Sequence, residues 1–160
     1  MNERKEIPVP SGARIKRLRV RFVKYEYWHE ALRSVGTGPS RTTFVQLAGE
    51  LYPELIQQET DLDLVLINYR RGDFETATKW AEKFGLKRTH PLEIFAIGAQ
   101  YHDLRKEFNQ NPVNVVATTV CNNNGYPYIC YISQVDRDLR PDFLGTNAFG
   151  TQSDWFGFRE

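Results

Sequence analysis

Leu62-Asp63-Leu64-Val65-Leu66-Ile67-Asn68-Tyr69 is almost uninterrupted in its apolar character. A run of this kind predicts a strand buried on both faces, because a strand with one wet face would alternate polar and apolar residues. The segment Ile15 to Trp28 does alternate. Leu18, Val20 and Phe22 fall on one face, and Arg17, Arg19, Arg21, Val23, Tyr25 and Tyr27 on the other. Before it, residues 1–13 mix charge with Pro8, Pro10 and Gly12 and read as a flexible arm leading into one globular domain over 14–160.

Between the two strands, His29 to Val35 suits a short helical turn. A loop follows, Gly36-Thr37-Gly38-Pro39-Ser40-Arg41-Thr42. Phe44, Leu47, Ala48, Leu51 and Leu55 then recur at helical spacing, with Ser40 or Thr42 as N-cap and a kink or restart at Pro53.

After the buried run, Asp73 caps a second helix whose stripe is Phe74, Ala77, Ala81 and Phe84, and Gly85 ends it. A third helix opens at Thr89-His90-Pro91 and carries apolar residues as far as Leu104 and Phe108. Its first half is apolar nearly all round, which places it centrally. Val113 to Cys121 and Tyr126 to Ser133 make a hairpin around Asn122-Asn123-Asn124-Gly125, where Asn-Gly supplies the positive φ angles of such turns.

The order is therefore β-α-β-α-α-β-β, followed by an irregular aromatic C-terminal tail from Asp136 to Glu160. In that tail, Phe143, Phe149, Trp155, Phe156 and Phe158 either wrap onto the core or dock on a partner or a second copy through residues 141–160. An α/β or α+β class, single domain with a mixed sheet, fits this order. A crossover helix would set the first two strands parallel.

At 160 residues the chain can bury about two-thirds of its unfolded surface. A net charge of +1, from 21 basic and 20 acidic residues, gives no global steering toward nucleic acid or an anionic membrane. Two cysteines, no signal-like N-terminus and no membrane-length apolar run read as a soluble cytoplasmic protein with reduced thiols.

Basic residues are nonetheless concentrated from Arg14 to Lys24. Arg17, Arg19 and Arg21 form a row, continued by Tyr25 and Tyr27, that suits a single-stranded nucleic acid. The competing explanation is an edge strand protected from aggregation by its charges, and the low net charge favours it. Ser40 and Arg41 in the first loop, with Arg70 and Arg71 in the second, would gather at one carboxyl edge of a parallel sheet and hold a phosphate or nucleotide. Neither loop completes a phosphate-binding glycine fingerprint. Arg71-Gly72-Asp73 carries no adhesion meaning in such a setting.

Chemistry has few candidates. His29, His90 and His102 share no ligand spacing, Cys121 and Cys130 read as small core residues, and the sequence implies no metal and no cofactor. Gly38-Pro39-Ser40-Arg41-Thr42 fails the nucleophile-elbow pattern, and Asp136-x-Asp138 is not singled out among many loop acids. These features weigh toward a binding or interaction module for a phosphate-bearing ligand, nucleic acid or nucleotide. An accessory subunit and a small enzyme are the alternatives.

Overall fold

The computed structural model describes residues 6–25, 27–35, 59–70 and 73–160. The loop 36–43, the amphipathic segment 44–55 and the pair Arg71 and Gly72 lie outside the described residues. The strands are β1 (Ala13–Phe22), β2 (Thr60–Tyr69), β3 (Lys87–Arg88), β4 (Val113–Val116), β5 (Cys121–Asn123), β6 (Tyr126–Val135), β7 (Asp138–Gly145) and β8 (Asp154–Arg159). The helices are α1 (Trp28–Val35), α2 (Phe74–Lys83), α3 (Pro91–Gln100) and α4 (Leu104–Phe108). No helix among the described residues is long and apolar enough to cross a membrane.

One mixed sheet runs β1-β2-β8-β4-β6, with β5 and β7 also on β6 and β3 beside β8. Among the described strands, only β4 and β8 pair in parallel. The predominance of antiparallel pairs makes this mixed single domain an α+β arrangement. Leu18, Val20, Leu64, Leu66, Val115 and Ile132 project from one face onto α1, α3 and α4. Val65, Ile67, Phe156 and Phe158 project from the other onto Ala77, Trp80 and Ala81 of α2 and onto Phe149. Ile7 also packs on that second side.

The expected strand at Leu62–Tyr69 is present and buried along most of its length. The Asp73 cap accepts the Thr76 N–H at 2.9 Å, and these bonds hold its carboxyl below the ordinary range. Gly85 ends that helix at φ +69°, a conformation that costs glycine no Cβ clash. The hairpin turns through Asn124 and Gly125, both at positive φ. α3 begins at a capped His90, whose Nδ1 accepts the Leu92 N–H, while Glu93 accepts the His90 N–H. Burial pushes the Glu93 carboxyl above its ordinary range, against the pull of that N–H and of Arg159 at 3.3 Å.

Four features differ from the sequence expectation. β1 and β2 are antiparallel neighbours, from Ala13 opposite Tyr69 to Phe22 opposite Thr60. This direction sets Arg19 against Asp63 and Arg21 against Asp61, so the charges of the two strands complement each other. β1 and β2 therefore end at opposite ends of the pair, so they do not form the parallel carboxyl edge the sequence suggested.

The basic strand also stops at Phe22, where its ladder with β2 ends, so Tyr25 and Tyr27 do not continue the arginine row. The third helix divides into α3 and α4 at Tyr101–Asp103. There the Leu104 N–H is satisfied by Gln134 Oε1 at 2.7 Å and the Tyr101 hydroxyl by the Arg19 carbonyl at 3.0 Å.

The fourth difference is the largest. Residues 136–160 are not an irregular tail. They supply β7 and β8, and β8 lies in the middle of the sheet between β2 and β4. Asp154 to Phe158 are all buried, so no polar–apolar alternation marks the strand, and the turn-forming residues around it disguise it further. Phe143, Phe149, Trp155, Phe156 and Phe158 pack inside the molecule, which leaves none of these rings exposed for docking.

β3 and β4 share one edge of β8 and leave a gap at Gly157. The Thr89 and Thr118 hydroxyls fill it, both donating to the Gly157 carbonyl at 2.7 and 2.8 Å. A Cβ at Gly157 would stand 2.7 Å from the end of the Ile94 side chain, which would have to shift to admit it.

Candidate functional site

The register of β1 on β2 builds a cleft at the open end of the pair. Arg14 lies opposite Asn68, and the Arg70 N–H donates to the Gly12 carbonyl at 3.0 Å. Arg70, directly after the last residue of β2, and Arg14, opposite Asn68, lie close together at this end. With Gly12, Ala13, Asn68 and Gln152, they line a cavity of about 420 Å³. Gly12, at φ +76°, has open space where a side chain would stand, so the backbone borders the cleft directly.

Neutral groups hold Arg14. Its Nη2 donates to Asn68 Oδ1 at 3.0 Å and to Gln110 Oε1 at 3.4 Å, and the guanidinium lies 5.1 Å from the Trp155 ring centroid. Gln110 also accepts from Trp155 Nε1 at 3.1 Å and donates to the Gln152 carbonyl. The chain reaches Gln110 because Asn109 takes a left-handed conformation after α4.

Asn68 is buried and donates to the carbonyls of Gln152 and Asp154 at 3.0 and 2.7 Å. Asp154, only 2% exposed, accepts from the backbone N–H groups of Gly150 and Thr151, the Thr151 hydroxyl and the Asn114 amide. That network fixes the entry of β8 and, with it, the floor of the cleft. Among the described residues, neither Arg14 nor Arg70 has a carboxylate within 4.0 Å.

The opposite face of β1 is different. Arg17 pairs with Glu160 at 3.4 Å, Arg19 with Asp63 at 3.9 Å and Arg21 with Asp61 at 3.6 Å. The row exists as the sequence suggests, but each charge faces an acid. Tyr25 is half-buried against the helical-side core, and Tyr27 is exposed and stacked on His29. Ser40, Arg41 and Arg71 lie outside the described residues, which leaves Arg70 as the described member of the expected loop site.

A second hollow, of about 680 Å³, lies along the β6–β7 hairpin. Its walls are the cross-strand pairs Tyr131–Asp142, Ser133–Arg140 and Val135–Asp138. Arg140 is bonded to Asp138, and Asp136 and Asn111 exchange hydrogen bonds at 3.0 Å. Asp136 occupies the turn at φ 54°, so it and Asp138 form no strand-borne carboxylate pair. Burial, with Asp142 nearby, pushes the Tyr131 phenol up to about 12, and it stays a hydrogen-bond donor.

No group of three or more His, Cys, Asp or Glu side chains that could hold a metal occurs among the described residues. Cys121 and Cys130 are buried free thiols, and burial raises Cys130 well above the ordinary thiol range. Cys121 is in register with Tyr128, which places Cys130 diagonally across the ladder. Diagonal Cα atoms about 7–8 Å apart are too far for a disulfide.

No protein-family model, no curated protein and no solved structure matches the chain. The site therefore rests on its own geometry. Sequence alone counts Arg14 as one basic residue among many. The available signal was Asn68, a polar residue directly after the apolar run Leu64–Ile67.

Proposed function

We propose that this chain is a non-enzymatic binding module for a phosphate-bearing ligand, held in the cleft between Arg14 and Arg70. One observation carries the proposal: Arg14 and Arg70 line the same cavity with no described carboxylate within 4.0 Å of either, and neutral amides position Arg14. A guanidinium fixed by neutral acceptors keeps its full charge for an incoming anion, and its planar donors match phosphate oxygens. Three histidines that share no site supply little for general acid–base chemistry, which favours binding over catalysis. Two buried thiols fit a reducing compartment, and we place the protein in the cytoplasm.

Titration calorimetry with inorganic phosphate and with adenosine monophosphate tests this at low and moderate salt. Binding should weaken as salt rises and fall when Arg14 and Arg70 are both replaced by alanine. Replacing Arg17, Arg19 and Arg21 together should leave it within about twofold, because exposed pairs contribute little. Absence of binding to either compound, or loss only in the triple variant, overturns the proposal.

A further inference from the structure

We infer that the cleft is built for one terminal phosphate on a small molecule, a phosphate monoester, and not for a nucleic-acid strand. This rests on the phosphate-binding role proposed above and narrows it to a ligand class.

The extent of uncompensated charge is the first argument. A strand-binding groove follows successive phosphates with a continuous basic track and offers rings to the bases. Among the described residues, the uncompensated charge along this face of β1 ends at Arg14. Lys16, the next side chain along the same face of β1, is bonded to Glu107 at 3.3 Å and lies over Phe108. Beyond it Leu18 is buried. On the far side, Gln110 and Gln152 are neutral.

The second argument is the lining. Its described residues include no aromatic side chain. Trp155 is close, but Arg14 covers its ring at 5.1 Å and Phe108 packs on it at 4.9 Å. Among the described residues, a base therefore finds no open ring to stack on.

Size and donor geometry agree. A cavity of about 420 Å³ lies toward the small end of small-molecule sites, which run from about 300 to 1,000 Å³. Arg14 commits Nη2 to the amide oxygens of Asn68 and Gln110. Its Nη1 and Nε have no acceptor among the described residues. Arg70, the residue after β2, lines the same cavity and supplies a second cation for one phosphate.

The test is calorimetry on the full chain with ribose 5-phosphate, dimethyl phosphate and a short oligothymidylate at one salt concentration, with inorganic phosphate as competitor. Ribose 5-phosphate should bind, be displaced by inorganic phosphate, and exceed the diester and the oligonucleotide by about tenfold or more in affinity. Arg14→Ala should cost about tenfold, and Arg14→Lys should not restore it, since an ammonium lacks the planar fork. Arg70→Ala, at an exposed position, gives a second variant whose folding is not at stake, and it should also weaken binding.

Oligothymidylate or diester binding as tight as the monoester overturns the monoester assignment while leaving the phosphate-binding role standing. No binding by any of the three defeats both. Monoester binding unchanged in Arg14→Ala and Arg70→Ala overturns the cleft as its site.

Discussion

Arg14 and the row Arg17, Arg19 and Arg21 belong to one strand, yet they live in opposite electrostatic settings. The row faces Glu160, Asp63 and Asp61, acid against base. Arg14 faces two amides and an indole. The difference teaches that a count of basic residues says little about a field. What matters is which neighbours the register supplies, and on β1 the register pairs three arginines with acids and leaves Arg14 among neutral groups.

The largest expected effect comes from the floor under Arg14. Asp154→Ala removes the acceptor for two backbone N–H groups, a hydroxyl and the Asn114 amide at a buried position. Leaving such donors unpaired should cost about 3 kcal/mol in urea denaturation, and phosphate binding should fall with it. A change below about 1 kcal/mol would show that the start of β8 does not depend on this network.

A smaller effect would erase the contrast between the faces. Asp61→Asn with Asp63→Asn frees Arg19 and Arg21 and moves the formal net charge from +1 to +3. Oligothymidylate affinity should rise about tenfold at low salt and lose the gain at moderate salt, with monoester affinity unchanged. An oligonucleotide affinity that does not move would mean that pairing is not what silences the row.

The smallest effect sharpens the contrast from the other side. Gln110→Ala removes one of the two acceptors that position Arg14, and monoester affinity should drop about threefold for roughly 0.7 kcal/mol. Calorimetry that finds no change would leave Asn68 as the sole positioning group.

Much of the scaffold was legible locally. The Leu62–Tyr69 run, the Asp73 cap, Gly85 and the Asn124-Gly125 turn carry their structure in their own residues and immediate neighbours. The direction of β1 was not legible, because it depends on acids on another strand. β8 was hidden because a strand buried on both faces loses its period-two signal, and Gly157 within it resembles a loop residue. The site was less legible still. Gln110 and Gln152 meet Arg14 and Asn68 only in space, and Asn68 alone was out of place in the sequence around it.

The central position of β8 bears on how the protein is made. Synthesis delivers β1, β2 and the strands β4 to β7 first, and β2 and β4 then have open edges where β8 belongs. Until residues 154–159 emerge, those edges expose unpaired N–H and carbonyl groups. A neighbouring copy on the same messenger carries an identical Asp154–Arg159 segment that fits the slot equally well. Crowded translation should therefore yield strand-exchanged dimers, and slower initiation, which spaces the ribosomes apart, should yield monomers.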